Sequence, residues 1–389
     1  MEKTKSIVAG IAIGLAVIMS GGAVALAGKA LGWYDKGPKE PEPTLEALNF
    51  EETGYGTYAV SLKDYGATEV VVPSKYNGKP VTEVSGSDAM PIILYRLAQR
   101  DLKEESDPDT LKDGIDRAVS DFVSAGGADG VNIGEAGFAM SPALKKITLP
   151  SSLKKISAGG FFGCTALEEL VMPAGVTMIK DFAFQWCYSL TGVEIPESVE
   201  ELGNDVFYGN NSLVSAKLPS RLNQCGEGIF DQCRKLKEAN VPQMEVIPKL
   251  MFGDCRALEK IDISEGIKTV SERAFYNCIS VTELVLPKTL TKIGSYAFSG
   301  GKLKEIILPE TLTEIGEYAF SSWENLEEIV LPKTLKKIGD KAFNNCTKLK
   351  TVYNLSELRL MSGLDNYGGV AKYATNIYTE LPSERASGE

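Results

Sequence analysis

Leu144-Lys-Lys-Ile147-Thr-Leu149-Pro150-Ser-Ser-Leu153-Lys-Lys-Ile156, followed by Phe161 and Cys164, is a phrase that the chain restates along most of its length. Counterparts of the first leucine stand at Leu167, Leu190, Leu213, Leu236, Leu258, Val281, Leu303 and Leu326, in steps of 23 residues, or 22 after Leu236 and Val281. A fixed period of this size marks a solenoid. So short a copy makes one strand, a corner and a return, and its apolar face can be buried only against a neighbouring copy. In the copy Leu303-Lys-Glu-Ile-Ile-Leu-Pro309 the expected strand is residues 305–308. Pro309 ends it, having no N–H to give to a ladder. Leu312-Thr-Glu-Ile315 returns on another face, and Gly316 turns the chain into Tyr318-Ala319-Phe320, where Ala319 and Phe320 pack inward.

Working outward, the other stretches are less regular. Lys3 and Lys5 precede an uncharged apolar run from Ile7 to Ala27, either a cleavable signal peptide or an uncleaved anchor with Trp33 and Tyr34 at the far interface. Both fates export the rest of the chain. Residues 36–44 form a charged, proline-rich spacer. Alternating Tyr58, Val60 and Leu62, with turns at Gly56, Gly66 and Asn77-Gly78, predict paired strands that cap the open end of the core. Val70 begins a first copy whose second half, Ile133, Gly134, Phe138 and Leu144, comes after an insertion. The insertion has a helical period, with Ile93, Leu94, Leu97 and Leu102 on one face and Leu111, Ile115, Val119 and Phe122 on another.

The expected fold is therefore a repeat solenoid of about ten coils: a parallel β-sheet with return strands and short helical turns. The expected segments are a signal anchor or signal peptide at 1–34, a linker at 35–44, and an N-terminal cap with the first half-repeat at 45–84. A helical insertion at 85–131, tandem repeats at 132–352, a C-terminal cap at 353–379 and a flexible tail at 380–389 complete the chain.

The recurrent phrase L-K-E-I-x-L-P-x-T-L-x-x-I-G-x-x-A-F-x-x-C resembles the BspA-like leucine-rich repeat family of bacterial surface proteins, over about residues 56–352 outside the insertion. The resemblance implies an exported, curved parallel-sheet solenoid that takes part in adhesion or protein binding, with no shared catalytic residues. The implied location is extracytoplasmic, at the cell surface, anchored by the N-terminal segment or secreted after cleavage. The implied partner is a protein or glycan, and the membrane is met through the N-terminal segment.

Composition narrows the chemistry. The 389 residues are 43% hydrophobic and 24% charged, ordinary globular values. Lys+Arg number 41 against Asp+Glu 52, and a net charge of −11 repels phosphate backbones, so no nucleic acid partner is expected. There is no histidine, which removes the commonest general base and every imidazole metal site. No enzyme, cofactor or metal is expected. Cys164, Cys187, Cys233, Cys255, Cys278 and Cys346 hold one place in their copies, a place that Asn210, Gly300 and Trp323 take elsewhere. They read as a column of buried thiols, with cross-coil disulfides the alternative.

The candidate binding residues lie in two outward columns of the strands. One ends in Glu283, Glu305 and Glu328, the other in Val285, Ile307 and Val330. Like carboxylates about 5 Å apart repel, and a cationic partner would relieve them. An apolar stripe beside them has the character of an interaction surface. The plain alternative is good strand propensity on a solvated face, with Lys288 or Lys333 neutralising the glutamates. A non-binding envelope scaffold that presents the helical insertion is the alternative to binding.

Overall fold

Leu144, Ile147 and Leu149 cannot alternate strictly, and the chain pairs only Lys146–Thr148 as strand, with Ile147 buried and Lys146 exposed. Its parallel partners lie one copy away on either side, so that Val70, Ile147 and Leu170 stand in register. Lys155–Ile156 is a two-residue return strand between Glu83-Val84 and Met178–Ile179. Repetition of this unit builds a parallel β-solenoid of about twelve turns. The structure, a computed structural model, describes residues 41–86, 127–128, 131–132 and 137–382. The expected membrane segment at 1–34, most of the spacer, the expected insertion helices and the last seven residues of the tail lie outside the described residues, as do Ile133 and Gly134. The place opposite Ile156 that the sequence assigns to Ile133 is held by Val84.

Two more turns are present than the expected ten, because Thr351–Asn354 and Asn376–Tyr378 continue the main ladder beyond the last clear copy. The expected short helical turns are corrected as well. Two residues in each coil, two before and two after the core phenylalanine, take left-handed backbone: Arg273 and Asn277 about Phe275, Lys341 and Asn345 about Phe343. Such residues interrupt helical hydrogen bonding. Among the described residues, helical structure is confined to the 3-10 turns Leu45–Ala47 and Tyr367–Gly369.

The turns form a third ladder. The amide of each core phenylalanine donates to a carbonyl of the next coil, as from Phe161 to Ala183 at 2.8 Å and from Phe230 to Met251 at 2.9 Å. Beneath it, ten phenylalanines from Phe138 to Phe343 stack at 5.0–5.7 Å between ring centroids. Coils approach so closely here that a Cβ on Gly316 would lie 2.5 Å from the backbone of Gly294.

The cysteine column is explained by the same geometry. Each thiol donates to the phenylalanine carbonyl of the preceding coil, Cys164 to Phe138 at 3.0 Å and Cys255 to Phe230 at 3.1 Å. All seven cysteines are free thiols. Trp323 serves in their place, its Nε1–H donating to Phe298 at 2.6 Å. The sequence placed Gly300 in this column. The residue there is Gly301, and a Cβ on it would fall 2.4 Å from the Trp323 indole.

That offset arises because the coil from Val281 is one residue short between Phe298 and Leu303. The main ladder fails at this coil: residues 305–308, expected as strand, are not paired as one, and Glu283–Val285 and Glu328–Leu331 belong to separate sheets. The other 22-residue coil, from Leu236, loses its residue at the corner, and there the return ladder breaks between Gln224–Cys225 and Val246–Ile247, bridged only by Arg221 and Gln243. The main ladder also lapses between Glu169–Val171 and Gly192–Glu194, where the repeat length is unchanged.

The ends of the core are closed. An antiparallel hairpin, Leu48–Glu52 with Tyr58–Leu62, lies against Lys79–Val84 at one end. At the other, Val370, Ala371 and Ala374 are buried, and Phe343 N–H donates to Gly368 at 2.8 Å.

One pH dependence arises on the turn face. Burial, then the neighbouring carboxylates Asp181 and Glu227, raise the Asp205 carboxyl to about 6. Burial and the carboxylates Asp205 and Asp254 raise Asp231 to about 7, against the opposing pull of Arg273 and a hydrogen bond from the Gln232 backbone. A carboxyl whose folded pKa lies above its unfolded value stabilises the fold at low pH and loses that contribution as pH rises through the folded value. Stability should therefore fall between about pH 4 and 7, by up to about 1.4 kcal/mol per pH unit per group. Urea denaturation across that range checks this. Asp231→Asn should flatten the profile, and a flat wild-type profile would refute the assignment.

Candidate functional site

On the main sheet, inward residues are spent on the core and the outward columns face solvent. Glu283, Val285, Glu305 and Ile307 are exposed, while Glu328 and Val330 are half-buried. Val285 retains 67% of its surface and Ile307 84%. Glu283 and Val285 stand on one sheet and Glu328 and Val330 on another, with Glu305 and Ile307 on the intervening coil whose ladder has failed. Among the described residues, Lys288 and Lys333 make no side-chain ion pair, and neither do Glu283 and Glu305.

The apolar row extends beyond the six sequence candidates. Register carries Val330 onto Tyr353 and Tyr353 onto Tyr378. These two tyrosines stack at 5.4 Å, so the column runs in register from Val330 to the last strand and ends in aromatic rings. Counting one more period from Val330 finds Tyr353; Tyr378 is hidden by a longer connection. Beside the row lies a groove of about 760 Å³ lined by Lys304, Glu305, Glu327, Glu328, Lys348, Lys350 and Thr351. The lysines of this groove were not among the sequence candidates.

Two other features give the face contrast. Gly192, Ser215 and Ala216 leave a depression of about 670 Å³ in mid-sheet, crossed by the Glu194–Lys217 ion pair at 2.6 Å. On the turn face, Arg273 stands over the Tyr296 ring at 5.2 Å, Tyr296 stacks on Tyr318 at 4.7 Å, and the Lys341 ammonium caps Tyr318 at 5.3 Å. Those ring faces are filled from within the chain, whereas Val285 and Ile307 on the main-sheet face are exposed.

The cysteines offer no nucleophile. Burial pushes Cys164 and Cys225 up to about 12, and raises Cys187, Cys233, Cys255 and Cys278 strongly. Nucleophilic and metal-binding chemistry belongs to the thiolate, which these environments suppress. Among the described residues no three Cys, Asp or Glu side chains are grouped to hold a metal ion.

The BspA type leucine rich repeat region matches in six copies, over residues 131–259 and 245–362. A leucine-rich repeat protein from Bacteroides ovatus has a similar structure, with TM-score 0.63 and 21% identity over 85% of this chain and 75% of its own. Looser likenesses are a T. pallidum leucine rich repeat protein, at TM-score 0.45 and 22% identity over 67% of this chain and 89% of its own, and a leucine rich cell surface protein from Faecalibacterium prausnitzii. The latter has TM-score 0.42 and 19% identity over 90% of this chain and 97% of its own. The Bacteroides likeness establishes the fold. No curated protein matches the chain in sequence.

Proposed function

The chain belongs to the BspA-type leucine-rich repeat family, and from that premise we propose that it is an exported interaction protein that binds a macromolecular partner on its main sheet face. The observation that carries this is the exposure of Val285 and Ile307, with half-buried Val330, near Glu283, Glu305 and Glu328, since exposed apolar side chains rimmed by charge have the character of an interaction surface. Tyr353 and Tyr378 support it, since tyrosine is enriched where proteins meet. Export to the cell surface is supported by Lys3 and Lys5 ahead of the uncharged run Ile7 to Ala27. The turn face is the weaker candidate because Arg273 and Lys341 already cap its tyrosine rings.

The test is binding of the purified protein to host matrix proteins, glycans and the producing cell's own envelope, with the double variant Glu305→Lys and Ile307→Asp alongside. Both side chains are exposed, so the variant should unfold within about 0.5 kcal/mol of the wild type and lose at least ten-fold in affinity. Undiminished binding by the folded variant would remove the site from this face. Binding abolished instead by deletion of residues 87–126 would favour the scaffold alternative, in which the solenoid carries that insertion.

A further inference from the structure

We propose that residues 87–126 dock on the turn face of the first coils, where Met140, Phe162, Trp186 and Tyr188 form their seat. The proposal is independent of the sheet face being the binding surface. Later in the array the same turn places meet solvent. Two residues after the core phenylalanine, Gln232 and Asp254 are half-buried and Asn345 is exposed; one residue beyond the thiol place, Arg256, Lys302 and Glu324 are exposed. In the first coils those places hold Met140, Trp186 and Tyr188, which retain 0%, 5% and 3% of their surface. Phe162 retains none, whereas Tyr276, likewise one residue after its core phenylalanine, retains 37%. Coil packs on coil alike at both ends of the column, at 5.1 Å from Phe138 to Phe161 and 5.4 Å from Phe320 to Phe343. Stacking therefore cannot bury one stretch of the turn face and leave the other open, and a further surface lies over the first.

The chain ends name the occupant. Residues 87–126 follow Gly86, where a Cβ would lie 2.1 Å from the carbonyl oxygen of Ala158, four residues before Phe162. The chain is back at Gly137, where a Cβ would lie 2.0 Å from the carbonyl oxygen of Ser85, three residues before Met140. Both ends thus meet at the corner that opens this stretch of the turn face. Between them, Ile93, Leu94, Leu97 and Leu102, then Leu111, Ile115, Val119 and Phe122, supply two apolar stripes that need a surface. A segment tethered at both ends needs little intrinsic affinity to stay docked. The seat is aromatic, with Phe162 edge-on to Trp186 at 5.1 Å between ring centroids. Trp186 Nε1 and Asn210 Nδ2 are buried with no hydrogen-bond partner among the described residues, which leaves two polar atoms for the docked segment to meet.

Acrylamide quenching of the full chain in a Trp33→Phe background reads the seat, because Trp186 and Trp323 are then the only indoles and Trp323 is 2% exposed in the core. Leu97→Asp combined with Val119→Asp should raise the quenching constant roughly two-fold and shift the emission to the red, as undocking bares Trp186. Deletion of residues 87–126 should do the same. Hydrogen exchange gives the reciprocal reading: Trp186→Ala should speed exchange of the amides in 87–126 about ten-fold. The amides of Phe298 and Phe320 should keep their wild-type protection in every variant and so report an intact array. Quenching that stays at the wild-type value in the aspartate pair, with those distal amides protected, would overturn the proposal. Undiminished protection of 87–126 in Trp186→Ala would overturn it too. The aspartate pair lies outside the coils, so the test stands even where the deletion does not fold.

Discussion

Replacing Phe230 by alanine should lower the free energy of unfolding by about 3–5 kcal/mol, the usual cost of emptying a fully buried phenylalanine site. Its ring lies 5.5 Å from Phe207 and 5.6 Å from Phe252, with no surface left to solvent. The cavity opens in the axis of a molecule where each coil touches only its neighbours, so contacts on both sides of the site are lost together. Phe138, which stacks on Phe161 alone within the column, is the matched control, and its alanine variant should cost less. Urea denaturation followed by circular dichroism measures both. The central variant should also broaden or split the transition, as the two halves of the array lose their coupling. Equal losses at the two sites, with a single sharp transition, would mean that the rings act as independent core residues.

The second large effect belongs to the short coil. Gly301→Ala should destabilise by about 1–3 kcal/mol, because the new Cβ would lie 2.4 Å from a rigid, buried indole that has nowhere to go. Trp323→Cys should cost a comparable amount by leaving a cavity, even though a thiol at that place can donate to a carbonyl as in the other coils. The two changes should not add. In the Trp323→Cys background the alanine finds space, and the double variant should be at least about 1 kcal/mol more stable than the sum of the single losses predicts. Additive losses in denaturant titrations would show that Gly301 is required for its backbone and not for the room it gives Trp323.

These residues also show what a sequence can and cannot disclose. The period, the inward apolar triplets and the core phenylalanine recur from copy to copy, so the solenoid and its core were readable directly. The thiols were readable as buried, but their purpose was not. Only the structure reveals that cysteine and Trp323 are alternative donors to the same kind of carbonyl. The strand expected at 305–308 failed because a one-residue deletion beyond Phe298 displaces a ladder while leaving the local pattern Lys-Glu-Ile-Ile-Leu intact; pairing depends on the neighbours, which a local pattern does not contain. Helical turns were expected because Gly-x-x-Ala-Phe permits them. Left-handed residues such as Arg273, Tyr296 and Lys341 carry no compositional signal of their backbone. On the candidate face, the outward columns through Val330 came from counting, and Tyr378 did not, because 25 residues instead of 23 separate it from Tyr353.

Both shortened coils break a sheet, yet neither interrupts the phenylalanine column or the turn amides that donate from each coil to the next. The molecule therefore has one axis that must stay in step and two faces that tolerate slippage. For a gene that lengthens by copying segments of itself, the Ala-Phe turn is the reading frame and the sheets are the slack. Copies of unequal length can be joined, a coil can be gained or lost, and the cost of an imperfect splice is confined to hydrogen bonds on a single face.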